Sequence, residues 1–136
     1  MRSAEKAVMA VAAVQHGVFS LDQARELGMS IDQAKRRVRS GRWRRVHPAV
    51  YAVEGSVDSV AQRRRAAALW FGRGCVFSHR TAAALWGLPG FSEDDGPITI
   101  ASTRHLDAPE GVRIFRVEAL LARELGTVSF QRVTSV

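Results

Sequence analysis

The chain has 136 residues and a mass of 14.9 kDa, room for one medium domain or two very small ones. At 46% apolar it can bury a core, yet its longest uninterrupted apolar run, Ala7 to Val14, falls far short of the ~20 residues that a membrane helix needs. Twenty basic residues against thirteen acidic ones leave +7, which favours a polyanionic partner, and the single Cys75 excludes an internal disulfide and cannot by itself make a cysteine-based zinc site. Eighteen of the twenty cations are Arg, whose planar fork suits phosphate and guanine. A GC-rich coding bias gives the same excess, so the placement of the charge decides.

Arg2 and Lys6 precede the first apolar stretch, as they would in a secretory signal. Glu5 breaks that pattern, Ala and Val stand where Leu is expected, and the 3.6-residue period runs back to Ala4. The stretch therefore reads as a buried first helix, and the chain as cytoplasmic.

The chain then nearly repeats itself. Ser20-Leu21-Asp22-Gln23-Ala24-Arg25 is followed ten residues on by Ser30-Ile31-Asp32-Gln33-Ala34-Lys35. Each copy is a helix start: Ser caps orphan backbone N–H groups, Gln three residues later reaches back, and Asp complements the dipole. Two starts at this spacing force a short helix (about Leu21–Leu27), a turn at Gly28-Met29 and a second helix (about Ile31–Ser40) ended by Gly41. The pattern is a helix-turn-helix, with Ala24 at the close crossing and Leu27, Met29, Ile31, Ala34 and Val38 on the inner face. An ordinary helical hairpin with solvated charges is the plain alternative.

From Gln33 to His47 there are seven cations and no acid. On a helical wheel Ile31, Ala34 and Val38 cluster on one side, with Gln33, Arg36 and Ser40 roughly opposite and Arg37 and Asp32 flanking. That layout suits a recognition helix in the major groove. Arg36 is the right residue for guanine O6 and N7, and Gln33 for adenine N6 and N7. Lys35 and Arg39, nearer the seam edges, suit phosphates. Beyond Gly41, Arg42-Trp43-Arg44-Arg45-Val46 alternates basic and apolar, His47-Pro48-Ala49 bends the chain, and Val50-Tyr51-Ala52-Val53 resumes an extended pattern. A strand, a turn and a strand after a helix-turn-helix form a wing. Trp43 and Val46 anchor it, Arg42, Arg44 and Arg45 meet the backbone, and His47 at the bend completes the DNA-facing set.

In the second half, Ser59 begins a helix to about Phe71 with Arg63-Arg64-Arg65 around its polar side, read as a solvated face with a phosphate-contacting role as the alternative. Gly72–Gly74 breaks it, Cys75-Val76-Phe77 is a short strand, and Ser78 caps a helix through Trp86. Gly87 to Gly96 is a loop with an acidic tip, Glu93-Asp94-Asp95. Pro97–Ala101 and Val112–Val117 read as strands, Leu120–Leu125 as a helical turn or two, and Thr127–Phe130 as a last strand.

Several of these segments together resemble a known family. They are Gly17-Val18-Phe19-Ser20, the Ala24…Gly28 turn, the block from Arg37 to Tyr51, and Phe77-Ser78-His79-Arg80-Thr81-Ala82-Ala83-Ala84-Leu85-Trp86-Gly87-Leu88. The chain resembles, over nearly its whole length, the AbiEi antitoxins of type IV toxin–antitoxin systems, especially actinobacterial relatives. The resemblance implies an N-terminal winged helix that binds double-stranded operator DNA and represses its own operon. It implies a second domain that opposes a nucleotidyltransferase-like toxin. In other relatives the same front end precedes a nuclease domain similar to the very-short-patch-repair endonucleases. Such relatives usually continue past Thr134-Ser135-Val136 with a further helix, so a minimal or truncated member is expected.

The expected fold is thus α+β: a winged helix-turn-helix over residues 1–56 and a small mixed α/β domain over 57–136. The expected function is a sequence-specific DNA-binding repressor of the antitoxin type. Its alternatives are a toxin-binding interaction module with an incidental basic patch, and the targeting end of a nuclease. Catalytic readings do poorly. His16, His47, His79 and His105 are widely spaced, Ser78 is better explained as a cap, and Cys75 as a buried small residue. Glu93-Asp94-Asp95 lacks further ligands, and no phosphate-cradling glycine motif occurs. No enzyme activity, cofactor, metal or membrane association is expected.

Overall fold

The structure, a computed structural model, describes residues 2–72, 74–92, 96–118, 125–128 and 131–134. The expected acidic tip at 93–95 and the helical turn over 120–124 lie outside the described residues. The fold is α+β and divides into two compact units, Met1–Trp70 and Phe71–Val136.

The first unit opens with α1 (Arg2–Ala13), β1 (Val18–Ser20), α2 (Leu21–Glu26) and α3 (Ile31–Arg39). Both expected helix starts are full capping boxes. Ser20 Oγ accepts from the Gln23 amide at 3.1 Å while Gln23 Oε1 accepts from the Ser20 amide at 3.0 Å. Ser30 and Gln33 repeat the exchange at 3.1 and 2.7 Å. Gly28, at φ +103°, makes the left-handed turn between the two helices, and the Met29 amide closes it on the Ala24 carbonyl at 3.0 Å. The α1–β1 turn is locked differently. Gln15 and Gln23 exchange two amide hydrogen bonds of 3.1 and 3.0 Å, so the capping residue of α2 also holds the end of α1.

β2 (Trp43–His47) and β3 (Val50–Val53) follow, forming with β1 an antiparallel sheet in the order β1-β3-β2. Alternation gives the sheet two apolar faces. On one, Phe19 and Trp43 meet edge to face at 4.7 Å among Val8, Ala12, Ala24, Met29 and Ala34, with Tyr51 beside them. On the other, Val18, Val50 and Ala52 pack against Ala66, Leu69 and Trp70 of α4 (Val60–Phe71). A buried Gln62 on α4 donates to the His16 carbonyl at 2.8 Å and to Ser56 Oγ at 2.9 Å. The first unit therefore runs to Trp70, beyond the boundary at residue 56 expected from the sequence. The physical reason is that the sheet's second face is apolar and α4 covers it.

The second unit is a five-stranded mixed sheet in the order β6-β5-β4-β8-β7. Its strands are β4 (Cys75–Phe77), β5 (Ile98–Ser102), β6 (Val112–Arg116), β7 (Leu125–Val128) and β8 (Gln131–Thr134), with α5 (His79–Leu85) after β4. β4 pairs antiparallel with β5 and parallel with β8. Two expectations change here. Leu125 begins a strand rather than ending a helical turn, and β8 follows as a further strand beyond the expected last one. Ser78 stands at the cap position of α5 but makes no side-chain cap. Its hydroxyl pairs with His79 Nδ1 at 2.9 Å, and Thr99 Oγ1 from β5 accepts the Thr81 amide at 3.1 Å instead. Cys75 is fully buried with its thiol on Ser102 Oγ at 3.3 Å.

Candidate nucleic-acid interface

The first unit sets α3 beside the β2–β3 hairpin, and the orientation of α3 decides which cations face outward. Ala34 is buried and Val38 half-buried, as the wheel requires, but Ile31 is 43% exposed. The inner seam is rotated toward Arg37. Its guanidinium reaches back to α1 and donates from Nε and Nη2 to the two carboxylate oxygens of Glu5, each at 3.1 Å. Arg42 adds a third contact to Glu5 at 3.4 Å. Arg37, and to a lesser degree Arg42, thus serve an internal clamp between α1, α3 and the start of the hairpin. The Arg37 hydrogen bond, helped by the charges of Arg37 and Arg42, holds the Glu5 carboxyl below the usual carboxylate range despite partial burial.

Rotation of the seam brings Asp32, Lys35, Arg36 and Arg39 to the solvent face of α3, all exposed. Lys35 and Arg39, which the wheel places at the seam edges, border an open groove with Asp32, Val38, Arg45 and Tyr51. Two elements of different chain position therefore bring three of the expected cations, Lys35, Arg39 and Arg45, to one concave surface. Register explains why Arg45 is there: it pairs with Tyr51, whose ring packs on the Trp43 side of the sheet. Arg44 pairs with Ala52 and so faces the α4 side. Among the described residues Lys35, Arg36, Arg39, Arg44 and Arg45 have no ion-pair partner.

Three expected site residues lie elsewhere. Gln33 is half-buried and its amide oxygen is occupied by the capping box. Ser40 is the C-cap of α3 and donates to the Arg37 carbonyl at 3.1 Å. His47 is buried, 9% exposed, with its ring 6.1 Å from Trp70. The cause is a register shift between Arg45 and His47, which turns the strand so that His47 points to the α4 side. Burial lowers its pKa from the usual 6.5. The turn beyond it is tight, with Ala49 at φ +59° and its carbonyl accepting the Leu21 amide at 2.8 Å.

Sequence reasoning missed Glu5 and the outward turn of Ile31. The signal for the first was a lone acid in a basic leader, but its partner lies 32 residues away. Among the described residues no three His, Cys, Asp or Glu side chains come together as metal ligands, and no helix is long and apolar enough to cross a membrane.

A short helix, a left-handed glycine turn, a cation-faced second helix and a hairpin closing on it define a winged helix-turn-helix module. Residues 6–53, which run from α1 to the end of β3, match the family model described as "Transcriptional regulator, AbiEi antitoxin". The resemblance seen in the sequence is to this family, and the match supports a regulator role. No curated protein matches the chain. Among solved structures the chain is similar to the RV2827C protein from Mycobacterium tuberculosis, with a TM-score of 0.51 and 19% identity over 84% of this chain. That likeness is one of fold. The chain spans 45% of the length of that structure.

Proposed function

We propose that the first unit reads duplex DNA and that the protein is a sequence-specific repressor of the antitoxin type, acting on its own operon in the cytoplasm. One observation carries the reading. Lys35 and Arg39 of α3 and Arg45 of the hairpin line a single groove with no carboxylate paired to them among the described residues, while Glu5 engages the neighbouring Arg37 and Arg42. A surface that needed only solubility would spread such charges. Here they face one way, as phosphate neutralisation requires. In this arrangement α3 enters the major groove, Arg36 on its outer face bonds a guanine edge, and Arg45 fixes the hairpin on the backbone.

The test is a footprint on the DNA upstream of the protein's own gene, repeated across a salt series. Protection of a discrete site, absent on a scrambled duplex and lost as salt rises, is the expected result. Equal affinity for both duplexes at every salt concentration overturns it.

The second unit would then serve the antitoxin role by opposing a nucleotidyltransferase-like toxin. The family's description as antitoxin and the sequence resemblance support this part. Co-purification with the product of the neighbouring gene tests it, and rescue of growth when both are expressed is the expected outcome.

A further inference from the structure

The start of α3 presents two side chains that the cationic groove does not explain. Ile31 is a β-branched apolar residue, 43% exposed, on a helix whose solvent face is otherwise polar. Asp32 beside it is exposed, and has no ion-pair partner among the described residues although Lys35, Arg36 and Arg39 follow on the same helix. The two line one open depression with Arg25, Met29 and Ser30. Asp32 also borders the groove of Lys35, Arg39 and Arg45, so it is the residue common to both.

A carboxylate at the centre of a surface that approaches phosphates is repelled unless it faces a hydrogen-bond donor. In the major groove the donors are the amino groups of cytosine and adenine, and a carboxylate, which only accepts, matches cytosine N4. An exposed aliphatic side chain in the same place matches the one apolar feature of that groove, the thymine C5-methyl. We infer that Ile31 and Asp32 form a pyrimidine-reading pair, Ile31 on a thymine methyl and Asp32 on the amino group of an adjacent cytosine. The inference rests on the reading of α3 as the recognition helix and names what that helix selects. Phosphate-facing cations supply affinity for any duplex, and these two side chains supply the discrimination.

The experiment is selection of duplexes from a randomised library by the full-length protein, the Asp32→Asn variant and the Ile31→Ala variant, followed by anisotropy titrations on the selected site. Both positions are exposed, and matching thermal melts establish that the variants are folded. The wild type is expected to select a cytosine that Asp32→Asn exchanges for adenine, since a side-chain amide pairs with adenine N6 and N7, with a preference of about tenfold at that position. Replacing the neighbouring thymine by uracil, which removes only the methyl, should weaken the wild type about three- to tenfold and leave Ile31→Ala unchanged. If Asp32 serves only the helix dipole, Asp32→Asn selects the same site as the wild type and the inference falls while the DNA-reading function stands. If the wild type enriches no sequence at all, the function itself falls and the pair with it.

Discussion

Arg37 on α3 donates two hydrogen bonds of 3.1 Å to the two carboxylate oxygens of Glu5 on α1, a pair that ties the second helix of the helix-turn-helix to the first helix of the chain. Both side chains are partly exposed, at 23% and 31%, so solvent screens the pair; its fork geometry still places it at about 1 kcal/mol, the upper part of the range for such contacts. Glu5→Gln is expected to lower stability by about that amount in urea titrations at neutral pH. The folded pKa of Glu5 is depressed, so its stabilisation is present above the usual value of 4.5 and is lost as pH falls through the lower folded value. The wild-type and Glu5→Gln unfolding midpoints should therefore converge on acidification.

The same substitution releases two guanidinium groups. With Arg37 and Arg42 no longer held by a carboxylate, phosphate contacts should increase. The expected readout is a steeper salt dependence of duplex binding, by about one unit of slope for each phosphate gained. An unchanged slope would mean that neither side chain reaches the DNA.

The three groove cations Lys35, Arg39 and Arg45, which have no ion-pair partner among the described residues, set the wild-type expectation. If all three meet phosphate, log K should fall against log salt with a slope of about −2.7. Arg45→Ala should reduce that slope by about one and weaken cognate and scrambled duplexes alike. Arg44→Ala, on the opposite face of the hairpin, should change it less. Arg36→Ala should cost about 1–3 kcal/mol on the cognate site and relax base preference, which distinguishes a base contact from a phosphate contact.

His47 gives a second pH dependence, with a cause in burial. Desolvation keeps its folded pKa below 6.5, so the unfolded chain takes up a proton first as pH falls through that value. Stability should decline between pH 7.5 and 5.5, by no more than about 1.4 kcal/mol per pH unit for one proton. His47→Gln removes this part of the slope. Urea midpoints for the two proteins at both pH values make the comparison.

Gly17 has φ +89°, and a Cβ there would lie 2.5 Å from Ser56 Cβ, an atom that no rotamer change moves away. Gly17→Ala is expected to destabilise by about 2–4 kcal/mol. Gly28→Ala, also in a left-handed conformation but with its nearest neighbour at 3.5 Å, should cost about 1–2 kcal/mol, the conformational part alone. Thermal melts of the two variants separate contact from backbone conformation.

Local chemistry was legible in the sequence, and distant partners were not. The repeated Ser-x-x-Gln pattern is enough to place both capping boxes, and Gly28 the turn, because each rests on atoms within a few residues. The alternation through Trp43 likewise places the hairpin. The outward face of α3 is a different matter. A wheel assigns it from apolar residues alone, and Arg37 lies inward for a reason written at Glu5, 32 residues earlier. Gln33 illustrates a further ambiguity, since one amide serves as a base reader or as a helix cap, and the cap is nearer. His47 was misplaced by a strand irregularity that the residue types do not announce. β8 has the same origin: its pairing with Phe77 at Val133 is a long-range contact with no local mark.

The covering of the β1–β3 sheet by α4 has a practical corollary for protein engineering. Anyone grafting this unit onto another protein would be inclined to cut at the end of the hairpin, where the recognisable pattern stops. Such a cut strips Val18, Val50 and Ala52 of Ala66, Leu69 and Trp70 and removes the amide that ties His16 to Ser56. The excised piece would carry a sticky, half-built sheet and should precipitate, whereas a graft retaining the chain to Trp70 keeps its own cover.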